Sequence, residues 1–276
     1  MCSVSNKTIL ITGGANGIGE FIVREALEKA AKHVTILDID ADSGHKLEAE
    51  LNEKYGENKI NYILCDITNE KELFNAFNIA IEMYNSTLDV VINNAAILDD
   101  SPDMYKKEIE INFTATVAST LKALEKMRKD EGGEGGTVIN ISSMSALHQL
   151  SPSYYIYAAT KSAVLHFSNC IGMDNYYERT KVRVLTVCFG STQTNIANNF
   201  RLCDKKITKE EIIEVFKEYK PGQSAEAAAK GTLEVYSKGK SGSTWLVNNN
   251  QVKDITSYIK RAYAILEEGI KTTAIS

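Results

Sequence analysis

Two periods of apolar and polar residues alternate along this chain. Short apolar runs recur at 8–12, 33–37, 60–65, 90–93, 137–142, 183–189 and 244–247. Runs such as Val90-Val91-Ile92-Asn93 are rich in β-branched residues and lack strict in–out alternation. That pattern predicts strands covered on both faces, as in a parallel sheet. Between the runs lie segments with helical spacing at 19–32, 42–55, 69–84, 102–129, 155–177 and 225–237. Thr68 is placed to cap the third of these and Ser224 the last. The 102–129 segment carries Ile109, Phe113, Val117, Leu121 and Leu124. Strand and helix in regular alternation predict an α/β, single-domain Rossmann-type fold. It is a doubly wound parallel sheet of about seven strands with helices on both faces.

No internal repeat or linker divides the 276 residues, so the whole chain reads as one domain. The polar segment 195–222 carries apolar residues at Phe200, Ile207, Ile212, Val215 and Phe216. It predicts a mobile helical flap over a substrate site, ended by the turn at Pro221-Gly222-Gln223-Ser224. Residues after about 250 read as a C-terminal tail.

With 43% hydrophobic and 24% charged residues, the composition is that of a soluble globular protein. No run approaches the ~18 apolar residues of a membrane span. Residues 1–7 do not read as a signal peptide, and the expected location is cytoplasmic. A net charge of −5 argues against nucleic acid as a partner. Cysteines at 2, 65, 170, 188 and 203 form no CxxC pair and read as free, mainly buried thiols. Histidines at 33, 45, 148 and 166 form no ligand motif, so no metal is expected.

The first candidate chemistry lies in Thr12-Gly13-Gly14-Ala15-Asn16-Gly17-Ile18-Gly19, between the first strand and the first helix. Gly13, Gly17 and Gly19 let the backbone turn tightly and approach a pyrophosphate at a helix N-terminus. Asp38 follows Gly19 by 19 residues and ends the second strand, where a carboxylate bonds ribose hydroxyls. A carboxylate there also repels a 2′-phosphate, and Ala15 and Asn16 offer no cation to reverse that. The cofactor expected is therefore NAD rather than NADP.

The second candidate is Tyr157 with Lys161, one helical turn apart. A cation beside a phenol lowers its pKa by about 1–3 units, towards a useful general base. The same spacing recurs at Tyr55/Lys59, Tyr177/Lys181 and Tyr236/Lys240. Only Tyr157 follows a strand that ends in a hydroxyl pair, Ser142-Ser143, on the sheet edge where open α/β sheets bind ligands.

These residues together resemble the short-chain dehydrogenase/reductase family over roughly residues 6–250. The further carriers are Asp66, the run Asn93-Asn94-Ala95-Ala96, and Asn112. Within the family, residues 97–100, residues 135–141 and the Trp245 strand look like insect alcohol dehydrogenases and 15-hydroxyprostaglandin-dehydrogenase-like relatives. The resemblance implies a catalytic set of Asn112, Ser143, Tyr157 and Lys161. Tyr157 exchanges the substrate proton and Ser143 orients the substrate oxygen. Lys161 bonds the nicotinamide ribose, and Asn112 kinks its helix and holds a water that links to Lys161. Asp66 and Ile67 are implied at the adenine, Asn93 and Ala95 along the ribose path. Thr194 is implied at the carboxamide, and Gly13, Asn16, Gly17, Ile18, Gly19, Gly190 and Thr192 complete the cofactor set.

Two residues depart from the family pattern. Ala96 stands where glycine is usual, which is tolerable if its φ is negative. Phe189-Gly190 stands where Pro-Gly is usual. The 14-residue step from Ser143 to Tyr157 is one residue longer than the common spacing. Leu147, His148, Leu150, Tyr154, Tyr155, Phe189 and Phe200 are the substrate-pocket candidates, an apolar set suited to a lipid, isoprenoid, steroid or aliphatic alcohol. The expected activity is NAD-dependent interconversion of a secondary alcohol and its ketone. The resemblance also implies a homodimer or homotetramer through helices 102–129 and 155–177. Two rivals stay open: a silent NAD-binding sensor or carrier, and an NADPH-dependent carbonyl reductase.

Overall fold

The structure is a computed structural model that describes residues 2–84, 87–197, 200–215, 217 and 222–273. The β-branched runs form its central strands. In chain order these are β1 (Thr8–Thr12), β2 (His33–Asp38), β3 (Ile60–Leu64), β4 (Val90–Asn93), β5 (Gly136–Ser143) and β6 (Val182–Phe189). Two short strands, β7 (Thr192–Gln193) and β8 (Gln223–Ser224), precede β9 (Thr244–Asn248) and β10 (Gln251–Asp254). Eight of them make one sheet in the order β10-β9-β6-β5-β4-β1-β2-β3. Its neighbours are parallel throughout except for β9 and β10.

All seven expected strands are in this sheet. The eighth, β10, turns back from β9 at Asn249 and Asn250, both with positive φ (49° and 60°). Asparagine tolerates that left-handed backbone better than most residues. The tail after residue 250 is thus β10 followed by α10 (Thr256–Thr273), a helix whose apolar Leu266 and Ile270 are exposed.

The other helices are α1 (Gly17–Glu28), α2 (Ala41–Tyr55), α3 (Glu70–Tyr84), α4 (Tyr105–Ile109), α5 (Ala115–Met127), α6 (Tyr155–Ile171), α7 (Asp174–Thr180), α8 (Lys209–Val215) and α9 (Ala225–Lys238). The expected single helix 102–129 is interrupted by a π-helical turn, Glu110–Thr114. The expected helix 155–177 breaks at Gly172, where a Cβ would lie 2.6 Å from the Gly242 backbone. Asn69, not Thr68, caps α3, its Oδ1 accepting from the N–H groups of Lys71 and Glu72. Ser224 caps α9 as expected, accepting from the Ala227 N–H at 3.1 Å.

Successive residues of β1 enter opposite layers. Ile9 and Ile11 pack with Ile22 and Val23 of α1 and Leu233 of α9. Leu10 packs with Phe77 of α3 and Leu124 and Met127 of α5. Full burial of each such side chain stabilises the fold by about 1.5–3 kcal/mol. Both faces are therefore covered, which is why the strands lack alternation. All five cysteines are free thiols, but only Cys65 and Cys188 are buried.

β1 sits between β4 and β2, the position where the strand order reverses. The carboxyl ends of β1, β2, β4, β5 and β6 open a crevice there, and such crevices hold the ligands of open α/β sheets. β7 pairs with β8 and joins the two ends of the flap. The expected helical character of the flap is present in α8. Phe216 and Pro221, read as part of the flap and its closing turn, lie outside the described residues.

Candidate active site

A groove of 660 Å³ runs along the crevice. At one end the glycine loop is wound against its neighbours. Gly13 and Gly17 have φ of +65° and +58°, a region that favours glycine. A Cβ on Gly19 would sit 1.9 Å from the Gly13 carbonyl oxygen, and one on Gly13 would sit 2.7 Å from Ala95 Cα. Asn94 braces the loop, its Nδ2 donating to the Gly13 carbonyl at 2.8 Å. Thr12 Oγ1 accepts from the Asn94 and Ala95 N–H groups at 3.1 and 3.2 Å.

Gly13, Asn16, Gly17 and Ile18 line the groove, and Gly19 lies beneath them as packing. Asp38 lines it too, with Oδ2 accepting from the Ala15 N–H at 3.0 Å and Oδ1 from the Asp40 N–H at 3.1 Å. Asp40, which sequence reasoning passed over, lies behind Asp38 off the groove wall and takes the Asn16 amide at 2.8 Å. The Ser43 backbone N–H holds that carboxyl below its ordinary range.

Asp66 and Ile67 line the next stretch. Asp66 accepts from the Thr68 hydroxyl and N–H at 2.7 and 2.9 Å and from Lys107 at 3.2 Å. The Thr68 hydroxyl is the main reason its carboxyl stays below the usual range. Lys107 lines the groove and had no signal in the sequence beyond being a lysine on a helix. Ala95 lies on the groove, but Asn93 does not. The Asn93 side chain is buried and donates to Asn140 Oδ1 at 2.7 Å and Thr120 Oγ1 at 3.0 Å. It ties β4 to β5 and α5, and its neighbour Asn94 faces the loop in its place.

At the other end Ser143, Tyr157 and Lys161 converge. Ser143 ends β5, and α6 brings up Tyr157 and Lys161 on one face. Burial pushes the Tyr157 phenol up to about 12, against a hydrogen bond with Ser143 that lowers it. Burial takes the Lys161 ammonium down to about 8. Desolvation therefore outweighs the expected lowering of the phenol by the lysine, whose Nζ lies 5.7 Å from the ring centroid and donates to the Ile141 carbonyl at 3.2 Å.

Asn112 lies in the π-helical turn that interrupts the helix. Its side chain is spent on Ile97 (N–H to Oδ1 and Nδ2 to carbonyl, both 2.9 Å) and on Thr160 Oγ1 at 3.3 Å. The other tyrosine–lysine pairs stay outside the groove. Gly190, Thr192 and Thr194 line its rim, and Thr192 Oγ1 donates to the Gly190 carbonyl at 2.9 Å. Ala96 has no positive φ, the condition its methyl group needs.

Of the substrate candidates, Phe189 lines the groove. Tyr154 packs edge-on against Phe200 of the flap, with centroids 5.1 Å apart, while Tyr155 is largely exposed. Leu98, Ile111 and Ile196 are apolar lining that sequence reasoning did not find. Each sits on a loop or a helix interruption, where periodicity carries no information.

The short chain dehydrogenase family profile matches residues 7–204. The chain belongs to that family and is an oxidoreductase of it, and the family binds a nicotinamide cofactor. Among curated relatives it is 30% identical over 216 residues to the rat (Rattus norvegicus) 15-hydroxyprostaglandin dehydrogenase [NAD(+)], covering 78% of this chain and 77% of that one. It is 32% identical over 198 residues to alcohol dehydrogenase 1 of Ceratitis cosyra, covering 71% and 74%. Among solved structures, the NADH complex of a 3-ketoacyl-(acyl-carrier-protein) reductase from Brucella melitensis superposes with a TM-score of 0.74. It is 19% identical and covers 89% of this chain and 98% of that one. An NADPH-dependent 3-quinuclidinone reductase from Rhodotorula rubra gives 0.73 at 22% identity, covering 89% and 91%.

Proposed function

We propose that this protein is an NAD-dependent dehydrogenase that interconverts an apolar secondary alcohol and its ketone. The observation that carries the proposal is a single groove with Asp38 at one end and Ser143, Tyr157 and Lys161 at the other. The residues fit a nicotinamide dinucleotide: Gly13 and Gly17 line the groove in a positive-φ turn and carry no side chain there, which leaves the loop backbone at the start of α1 open to a phosphate. The Asp38 carboxylate at the end of β2 favours ribose hydroxyls and disfavours a 2′-phosphate. Asp66 and Ile67 would receive the adenine, and Thr194 the carboxamide.

When bound, oxidised NAD supplies the hydride acceptor and a positive charge beside Tyr157. Tyr157 takes the hydroxyl proton of the alcohol and Ser143 holds the same oxygen. Lys161 would hold the nicotinamide ribose, and its ammonium beside Tyr157 would help carry the proton away from the phenol. The phenol is protonated in the protein alone, so base strength appears only in the loaded site. Phe189, Leu98, Ile111 and Ile196 give the substrate end an apolar wall that suits a lipid, isoprenoid, steroid or aliphatic alcohol.

Four filled catalytic positions argue against a silent NAD-binding sensor or carrier, and Asp38 argues against an NADPH-dependent carbonyl reductase. The exposed Ile109 and Leu121 favour a homodimer or homotetramer through the α4–α5 face. The test is nicotinamide reduction by purified protein on a panel of aliphatic, isoprenoid, steroid and prostanoid secondary alcohols, with NAD and NADP in parallel. Turnover with NAD is expected. Turnover with NADP alone, or tight NAD binding without turnover on any alcohol or ketone, overturns the proposal.

A further inference from the structure

The helix that carries Tyr157 has no cap of its own. Tyr154 precedes α6 without a side-chain capping bond, and the first turn holds no acidic residue. The cap comes from a distant loop. Asp100 is fully buried, and its Oδ2 and Oδ1 accept from the N–H groups of Ile156 and Tyr157 at 2.8 and 3.0 Å. The base is thus held, through its own backbone, by one carboxylate.

Glu108 of α4 lies directly against that carboxylate and is itself fully buried. Its Oε1 accepts from the Asp99 N–H at 3.1 Å, and its Oε2 meets no donor. Two carboxylates facing each other in a dry site cannot both be ionised. The cations nearby are committed elsewhere: Arg201 binds Asp99 at 2.8 Å, Lys107 binds Asp66 and Thr68, and Lys161 binds the Ile141 carbonyl. Both Asp100 oxygens already accept backbone N–H bonds whereas Glu108 Oε2 has no donor, so the proton belongs on Glu108. A proton there gives Oε2 its missing partner and makes a short acid-to-carboxylate bond.

We propose that Glu108 is a positioning residue that, as a neutral acid, hydrogen-bonds Asp100 and so holds the start of α6, and with it Tyr157, in place for the reaction. This rests on the dehydrogenase reading above. Glu108 is one turn before Asn112 on the same helix, so the acid also links the π-helical turn to α6. The groups that face it are Asp99 and Asp100 from the loop and Tyr157 and Lys161 from α6, with Arg201 of the flap behind Asp99. Burial, ahead of the neighbouring carboxylates, pushes the Glu108 carboxyl up to about 8.

The sign of the pH effect follows. Below about 8 Glu108 is neutral and donates to Asp100. As pH rises through that value it becomes an anion, which repels Asp100 and raises the phenol of Tyr157. Alcohol oxidation, which gains from phenolate formation, therefore loses rate on the alkaline side.

Glu108→Gln keeps the shape and an N–H donor but cannot ionise, whereas Glu108→Ala loses both. We expect kcat/KM of the wild type to fall above pH 8 and that fall to be shallower in Glu108→Gln, where Lys161 still loses its proton near 8 but the buried acid no longer ionises, with neutral-pH turnover within about threefold of wild type. Glu108→Ala should lower kcat by about 10²-fold while NAD affinity by calorimetry holds. An alkaline fall unchanged in Glu108→Gln overturns the proposal, as does an equal loss of kcat in the two variants. Difference infrared spectroscopy on the holoprotein gives a readout free of turnover: a protonated carboxyl band that titrates near 8 and is missing in Glu108→Gln. A protein that turns over no alcohol but shows this band keeps the Glu108 assignment and loses the dehydrogenase reading. Absence of the band at neutral pH overturns the assignment itself.

Discussion

The two ends of the groove are built by opposite rules. The cofactor end is backbone against backbone. Gly19 stacks on the Gly13 carbonyl, Gly13 on Ala95, and Asn94 and Thr12 close the remaining hydrogen bonds. The substrate end is side chains carried on loops. The flap joins the body at the two-residue strands β7 and β8, and Arg201 ties it to Asp99 through a partly exposed guanidinium. One end has no room for a Cβ at Gly13 or Gly19, and the other is walled by side chains that can vary with the proposed substrate.

The largest expected loss is at the point where the two ends meet. Lys161→Met keeps the volume of a buried side chain but removes the ammonium. It should lower kcat/KM by about 10²–10⁴-fold, measured by steady-state turnover. Gly19→Ala comes next. Its Cβ must displace the Gly13 carbonyl 1.9 Å away, an overpacking cost of about 1–3 kcal/mol. NAD affinity should fall by about tenfold or more in calorimetry, with a lowered Tm. Asp38→Ala removes a charge-assisted bond of about 1.5–3 kcal/mol, about 10- to 100-fold in Kd. The ratio of NAD to NADP affinity should fall with it, and an unchanged ratio would move selection to Asp40. The smallest effect is at the flap. The Arg201–Asp99 pair is an exposed surface ion pair, so Arg201→Ala should change KM for the alcohol by at most about fivefold. NAD affinity should not move. A larger shift for NAD than for alcohol would mean that the flap belongs to the cofactor end.

The same contrast explains what the sequence made legible. The glycine loop, Asp38, Ser143, Tyr157 and Lys161 stand on or beside strand ends and helix starts, where spacing converts directly into position. Seven strands were readable because β-branched runs covered on both faces have no other stable use. The misreadings occur where local rules compete with tertiary contacts. Gly172 breaks a helix because the Gly242 backbone packs against it. Asn93 and Asn94 are adjacent in a strand end, so their side chains point to opposite sides, and the pleat decided which one faces the loop. Glu108 and Asp100 gave no pattern at all, since their pairing depends on a buried contact between a loop and a helix. The tail after residue 250 was unreadable because β10 is mostly exposed and borrows its register from β9.

The central claim is that one groove binds NAD at its backbone-built end and takes the substrate proton at Tyr157. Tyr157→Phe separates the two. NAD affinity by calorimetry and turnover of the best alcohol should be measured on the same preparation of wild type and variant. NAD affinity should hold within about twofold while turnover falls by about 10²–10⁴-fold, the span of a lost general base. Turnover that survives the loss of the hydroxyl would contradict it.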